Sequence, residues 1–172
     1  MVSDRISSRD SGSPRAERPG LAEGYGVSSE EAGLLAWDHV RARMEASRNY
    51  WIGTTRPNGR PHAAPVWGVW LDDAFFFGTD PHSRKARNLR ANPEVIVHLE
   101  SGDDCVILEG VVKEESDPGL RRRVGEAYAA KYGLDALGGA EDVGPPVYVV
   151  RPRVGFAWLE SSFPETATRW RF

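Results

Sequence analysis

The stretch Phe75-Phe76-Phe77-Gly78-Thr79-Asp80-Pro81-His82-Ser83-Arg84-Lys85-Ala86-Arg87-Asn88-Leu89-Arg90-Ala91-Asn92-Pro93 decides how the rest of the chain is read. Three aromatic residues in a row form the end of a buried strand that stops at Thr79. A short helix over about 83–92 starts at Ser83 and must stop before Pro93, because proline disfavours helical geometry in the residue ahead of it. The first turn of that helix carries Arg84 and Lys85, although a helix N-terminus is the positive end of the dipole and favours Asp or Glu. A phosphate at this point would accept the free N–H groups of the first turn, the hydroxyls of Thr79 and Ser83, and charge-assisted bonds from Arg84 and Lys85. The alternative is a solvated basic helix face, and composition alone does not separate the two.

Outward from this stretch the period is two. Tyr50–Thr55, Pro61–Leu71 and Ala74–Thr79 are rich in aromatic and β-branched residues, and the gaps hold Pro57-Asn58-Gly59 and Asp72-Asp73. Asn-Gly supplies the positive φ of a tight hairpin, so the spacing predicts three antiparallel strands in a meander. Val95–Glu100 and Cys105–Glu114 predict another hairpin, and Val147–Arg151 and Arg153–Glu160 two further strands with a bend at Pro152. Ser28-x-x-Glu31 reads as a capping box opening a helix over about 29–48, with Ala36, Val40 and Met44 on one face. Pro118 and Gly133 bracket a second helix, and 134–146 reads as a loop. About seven antiparallel strands with two or three short helices predict a mainly β fold, a closed or nearly closed barrel that hides sheet edges.

The chain's 172 residues suit one domain. Residues 1–24 hold six apolar side chains against eight charges, five Ser, three Gly and two Pro, which predicts a disordered N-terminal tail ahead of a folded domain at 25–172. The 22 basic against 25 acidic residues give a net charge of −3, so no global field holds nucleic acid or an anionic membrane. A single cysteine, Cys105, excludes an internal disulfide and a multi-thiolate metal site, and a reduced, cytoplasmic setting is the default expectation. His39, His62, His82 and His98 show no metal-ligating spacing, and no nucleophile or acid–base constellation is visible, so neither a metal site nor a catalytic residue is predicted. No apolar run approaches the length of a membrane helix.

The run from Trp51 to Glu114, and above all Pro61-His62-Ala63-Ala64-Pro65-Val66-Trp67 followed by Gly78-Thr79 and Ser83-Arg84-Lys85, resembles the pyridoxamine 5'-phosphate oxidase-like superfamily. The resemblance covers about 49–172, and Arg84-Lys85-Ala86-Arg87-Asn88-Leu89 in particular is similar to actinobacterial members that include deazaflavin-dependent reductases. It implies an antiparallel split β-barrel of the FMN-binding type, a homodimer with the cofactor at the interface, and FMN or the deazaflavin coenzyme F-420 as cofactor. It assigns Ser83, Arg84, Lys85 and Thr79 to the cofactor phosphate, and Pro65, Val66 and Trp67 to the strand along the ring. It brings Trp158 and Arg169 to the cofactor from the partner subunit. The implied activity is hydride transfer between the bound cofactor and a small conjugated organic substrate. The second reading is a non-enzymatic flavin- or haem-binding carrier or sensor, and the third an oligonucleotide-binding barrel, which would need a basic groove that a net charge of −3 does not advertise. Two departures argue against vitamin B6 oxidation: Ala64 stands where the oxidases proper carry a strand arginine, and Arg169-Trp170-Arg171 replaces their Arg-x-His motif.

Overall fold

The computed structural model describes residues 14–133 and 145–172. Their strands are β1 (Arg15–Glu17), β2 (Tyr50–Thr55), β3 (Pro61–Val66), β4 (Val69–Leu71), β5 (Ala74–Gly78), β6 (Glu94–His98), β7 (Asp104–Glu114), β8 (Val147–Leu159) and β9 (Thr168–Arg171). The helices are α1 (Trp37–Ala46), α2 (Arg84–Ala91), α3 (Pro118–Tyr132) and α4 (Phe163–Thr166). All strand pairs are antiparallel, in the order β1-β9-β8-β7-β6-β2-β3, with β5 also on β8 and β4 on β5.

The split in the barrel is made by β8. Along one side β8 pairs with β7 from Tyr148 to Leu159; along the other, Val147–Val150 pair with β5 and Val154–Ala157 with β9. The two partners part at Pro152, which has no N–H for a ladder. There β7 shifts register between Glu109 and Gly110. Gly110 is required at that point, since a Cβ would sit 2.5 Å from the Arg151 carbonyl oxygen. The sequence predicts two strands bent at Pro152; the structure has one long strand that changes partner there.

The core follows the alternation. Tyr50 and Ile52 of β2, Phe75 and Phe77 of β5, Leu108, Val150 and Trp170 pack with Trp37, Val40 and Met44 of α1. Phe76 points the other way, into a second cluster with Val124, Tyr128 and Tyr132 of α3. Both faces of β5 are therefore covered, which explains four successive buried residues from Ala74 to Phe77. The β4–β5 turn places Asp72 and Asp73 at φ 50° and 55°, the paired left-handed conformations of a type I′ hairpin. Asp73 accepts from Arg41 Nε at 2.7 Å and Trp37 Nε1 at 3.0 Å, which ties α1 to that turn.

Several expected boundaries move. The helix predicted over 29–48 begins at Trp37, without a side-chain cap. Ser28 instead accepts from the Glu30 amide, and Gly33, at φ 88°, lies so close to Glu165 that a Cβ would be 2.7 Å from its carbonyl oxygen. A left-handed residue at that contact interrupts any helix running through it. The strand predicted over 61–71 breaks at Trp67-Gly68, because β4 turns away from β2 to pair with β5. The loop expected at 134–146 lies outside the described residues except for its last two.

The tail boundary at 24 also moves. Residues 1–13 lie outside the described set, but Arg15–Glu17 form β1 against β9. Arg18 donates to the main-chain carbonyls of Glu30, Ala32, Glu165 and Ala167 at 2.6–3.0 Å. Glu17 accepts from Arg169 Nε at 2.8 Å and Arg171 Nε at 2.7 Å. These contacts are polar and main-chain, so a count of apolar side chains does not register them.

Candidate functional site

The phosphate-binding candidates assemble where the aromatic strand hands over to α2. Ser83, at φ −62° and ψ 160°, caps the helix by accepting from the Ala86 amide at 3.1 Å. Thr79 Oγ1 lies 3.0 Å from Ser83 Oγ, so both hydroxyls meet at the first turn. Asp80 folds the intervening loop, its carboxylate accepting from the His82 amide at 2.6 Å. Arg84 is exposed and Lys85 half-buried, and among the described residues no carboxylate pairs with either. Two cations in a first turn with no anionic partner are unfavourable beside the helix dipole unless an anion joins them.

Behind that turn the helix is fixed to the sheet by polar contacts. Asn88, fully buried, donates from Nδ2 to Thr54 Oγ1 at 2.9 Å, and Thr54 in turn lies 3.3 Å from His62 Nδ1 across the β2–β3 ladder. Asn88 Oδ1 and Arg56 Nε are buried without a hydrogen-bond partner among the described residues. The His62 imidazole is held below its ordinary value, first by partial burial and then by the positive charges of Arg56, Lys85 and Arg84. This local field is positive in a chain whose net charge is negative.

The ring-binding candidates lie three residues along the same hairpin. Trp51 and Pro65 are cross-strand partners on its outward face and, with Asn49, Val66, Trp67 and Glu100, line an open cleft of about 540 Å³. Thr54 and His62 project from the opposite face, so the cleft and the cationic turn sit on two sides of β3 about 10 Å apart along the strands. What lies between them is an edge: among the described residues β3 pairs only with β2, which leaves outward-facing main-chain N–H and C=O groups beside Pro65 and Val66. Trp67, 38% exposed, stacks on Tyr132 with centroids 4.7 Å apart and 10° between planes, and the Arg48 guanidinium lies over both rings. Tyr132 locks this corner, its hydroxyl accepting from the Gly68 amide at 2.9 Å and lying 2.7 Å from the Arg48 carbonyl.

The two remaining candidates stand elsewhere. Trp158, near the end of β8, packs edge-on against Phe163 with centroids 5.6 Å apart. Arg169 is held by Glu17 of β1. Within one chain neither joins the cationic turn or the cleft. Trp70 of β4 is 5% exposed and packs against Trp37 in the core, away from the cleft. Burial pushes the Cys105 thiol up to about 11, consistent with packing rather than nucleophilic chemistry. Sequence reasoning missed Thr54, Arg56 and Asn88. A polar residue within an otherwise buried α2 stripe was the available signal for Asn88; Arg56 lies in a turn and carried none.

The family model for pyridoxamine 5'-phosphate oxidase matches residues 36–159, nearly all of the sheet, the cationic turn and the cleft. The chain belongs to the pyridoxamine 5'-phosphate oxidase family. Its split β-barrel is the fold expected of that family, with the Ser83-Arg84-Lys85 cap at the predicted place. A pyridoxine/pyridoxamine 5'-phosphate oxidase of Acidothermus cellulolyticus is 30% identical over 135 residues, which cover 77% of this chain and 56% of that protein. The chain thus matches little more than half the length of this curated relative. Among solved structures, a conserved hypothetical protein of Mycobacterium tuberculosis superposes with a TM-score of 0.61 at 26% identity, covering 73% of this chain and 85% of the other. An F420 reductase superposes with a TM-score of 0.54 at 22% identity, covering 67% and 94%.

The residues present fit a flavin-type cofactor with a phosphate. The unpaired cations, the two hydroxyls and the orphaned Arg56 Nε form a donor set for an anion. The free edge of β3 offers hydrogen-bonding groups to a planar polar ring.

Proposed function

We propose that this chain is a flavin- or deazaflavin-dependent oxidoreductase acting as a homodimer, with FMN, or alternatively the deazaflavin coenzyme F-420, held between two subunits. The observation that carries the reading is the α2 cap: Thr79 and Ser83 hydroxyls at 3.0 Å, followed by two cations without a carboxylate partner among the described residues. Such a cofactor supplies the hydride chemistry, and the protein supplies binding, orientation and exclusion of water.

In this reading Ser83, Arg84, Lys85 and Thr79 hold the phosphate, while the main chain at Pro65 and Val66 and the Trp67 side chain orient the ring. The open cleft in one chain favours a second subunit as its other wall, where the partner's Trp158 and the partner's Arg169 would approach. Arg169 is engaged by Glu17, so reaching a cofactor requires it to share or exchange that partner. A small conjugated acceptor would rest on the exposed ring face, held by apolar burial and stacking against side chains such as Trp51 and Trp67. Because the described site shows no acid–base pair, positioning of the acceptor at about 3–3.5 Å sets the rate. The test is reduction of the loaded protein followed by a panel of enones, quinones and tetrapyrroles. Reoxidation by at least one of them is expected; a panel that neither reoxidises the protein nor perturbs its spectrum transfers the reading to a carrier.

A further inference from the structure

The cationic turn has an opposite wall. Thr54 and His62 are paired across the β2–β3 ladder, so their side chains share a face, and Arg56, two residues beyond Thr54, returns to that face. On α2, Arg84 and Asn88 are four residues apart and share a face as well. Asn88 is bonded to Thr54, so the Arg84 side of α2 lies over the Thr54–His62–Arg56 side of the hairpin. Arg56, Arg84 and Lys85 all act electrostatically on the one imidazole between them. Asp80, the acidic residue of the adjoining loop, is turned to the His82 amide. Arg56 Nε is buried without an acceptor, and no ion pair joins Arg56, Arg84 or Lys85 to a carboxylate among the described residues. Three like charges and an imidazole, drawn together from two elements around an unpaired buried donor, would be balanced best by an anion carrying more than one charge.

We propose that Arg56 and His62 form the second wall of the phosphate pocket, facing Arg84 and Lys85, and that four donors of this kind select a terminal phosphate monoester over a phosphate diester. A monoester is close to dianionic near neutral pH and presents three terminal oxygens, whereas a diester carries one charge and two. The inference rests on the flavin reading for its natural ligand and, within that reading, favours FMN over F-420, whose phosphate is a diester. His62 stays a neutral donor or acceptor when the pocket is empty and gains a proton when a dianion enters.

The test uses the full chain, with FMN, riboflavin, inorganic phosphate and dimethyl phosphate as probes. Arg56→Ala and His62→Gln should each weaken FMN binding, Arg56→Ala by roughly tenfold or more, the loss expected for one hydrogen bond to a charged group. Arg56→Lys should recover part of that loss, and riboflavin affinity should not change. By NMR, inorganic phosphate should raise the pKa of the His62 ring well above the effect of dimethyl phosphate. Wild-type FMN affinity retained in both variants would overturn the proposal while leaving the flavin reading intact. If flavin does not bind but inorganic phosphate raises the His62 pKa selectively, the flavin reading fails and the pocket stands. Equal responses to phosphate and dimethyl phosphate would overturn the monoester selection.

Discussion

Replacing Arg84 and Lys85 together by alanine separates binding from folding. If both cations contact a cofactor phosphate, two charge-assisted bonds of roughly 1.5–3 kcal/mol each are lost, or about 3–6 kcal/mol. Arg84 is exposed and screened by solvent, so the lower end applies, a loss of about a hundredfold in affinity for FMN. Folding should not suffer. Neither side chain makes an ion pair or a hydrogen bond among the described residues, and removing two positive charges from the positive end of α2 relieves the dipole by a few tenths of a kcal/mol. The thermal midpoint should therefore stay within about 2 °C, given ~2–4 °C per kcal/mol for a chain of this length. Flavin fluorescence titration and calorimetry read the first quantity, thermal unfolding the second. Riboflavin is the control, because without its phosphate it should bind wild type and variant alike. Unchanged FMN affinity, or an equal loss for riboflavin, would refute the phosphate assignment and leave a solvated basic face.

Deleting residues 1–20 removes β1, the Glu17 pairing and the four carbonyl contacts of Arg18, and should lower stability by roughly 2 kcal/mol, or about 4–8 °C in thermal unfolding. An unchanged midpoint would return this segment to the status of a dispensable tail. The Asp73 carboxyl is held below the usual range by its hydrogen bond from Arg41, opposed by partial burial and reinforced by Trp37. Its contribution is therefore present at neutral pH and is lost as pH falls through that depressed value. Asp73→Asn keeps the left-handed turn and should cost about 1 kcal/mol at pH 7, with the gap to wild type closing below about pH 4 in denaturant titrations. Trp67→Ala should impair turnover while leaving phosphate-driven cofactor affinity largely intact; equal loss of both would make Trp67 a packing residue of the Tyr132 corner.

The parts of the fold that were legible in the sequence are those whose signal is local. Ser83 with Pro93 marks α2, Pro118 with Gly133 marks α3, and alternation around Asn58-Gly59 marks the β2–β3 hairpin; α2, α3 and β2 appear within two residues of their expected bounds, and β3 begins at Pro61 as expected although it ends early at Val66. Contacts distant in sequence were not legible. β1 is a strand because β9 offers it an edge, and nothing in Arg15–Glu17 alone encodes that. The capping pattern at Ser28 is overridden by the approach of Gly33 to Glu165, more than a hundred residues away. The site divides the same way. Ser83-Arg84-Lys85 is readable because it combines a cap with charges that contradict the dipole. Arg56 is just a turn arginine until α2 is laid over the hairpin, and Arg169 shows its engagement with Glu17 only once β1 is in place.

The most direct measurement is the mass and spectrum of whatever small molecule is released when the natively purified, unsupplemented protein is denatured. The account predicts a flavin- or deazaflavin-type chromophore that carries phosphate, with the mass of FMN if the opposing wall of Arg56 and His62 selects a monoester. A haem spectrum, or a protein that releases nothing and takes up neither FMN nor F-420 when offered them, would contradict it.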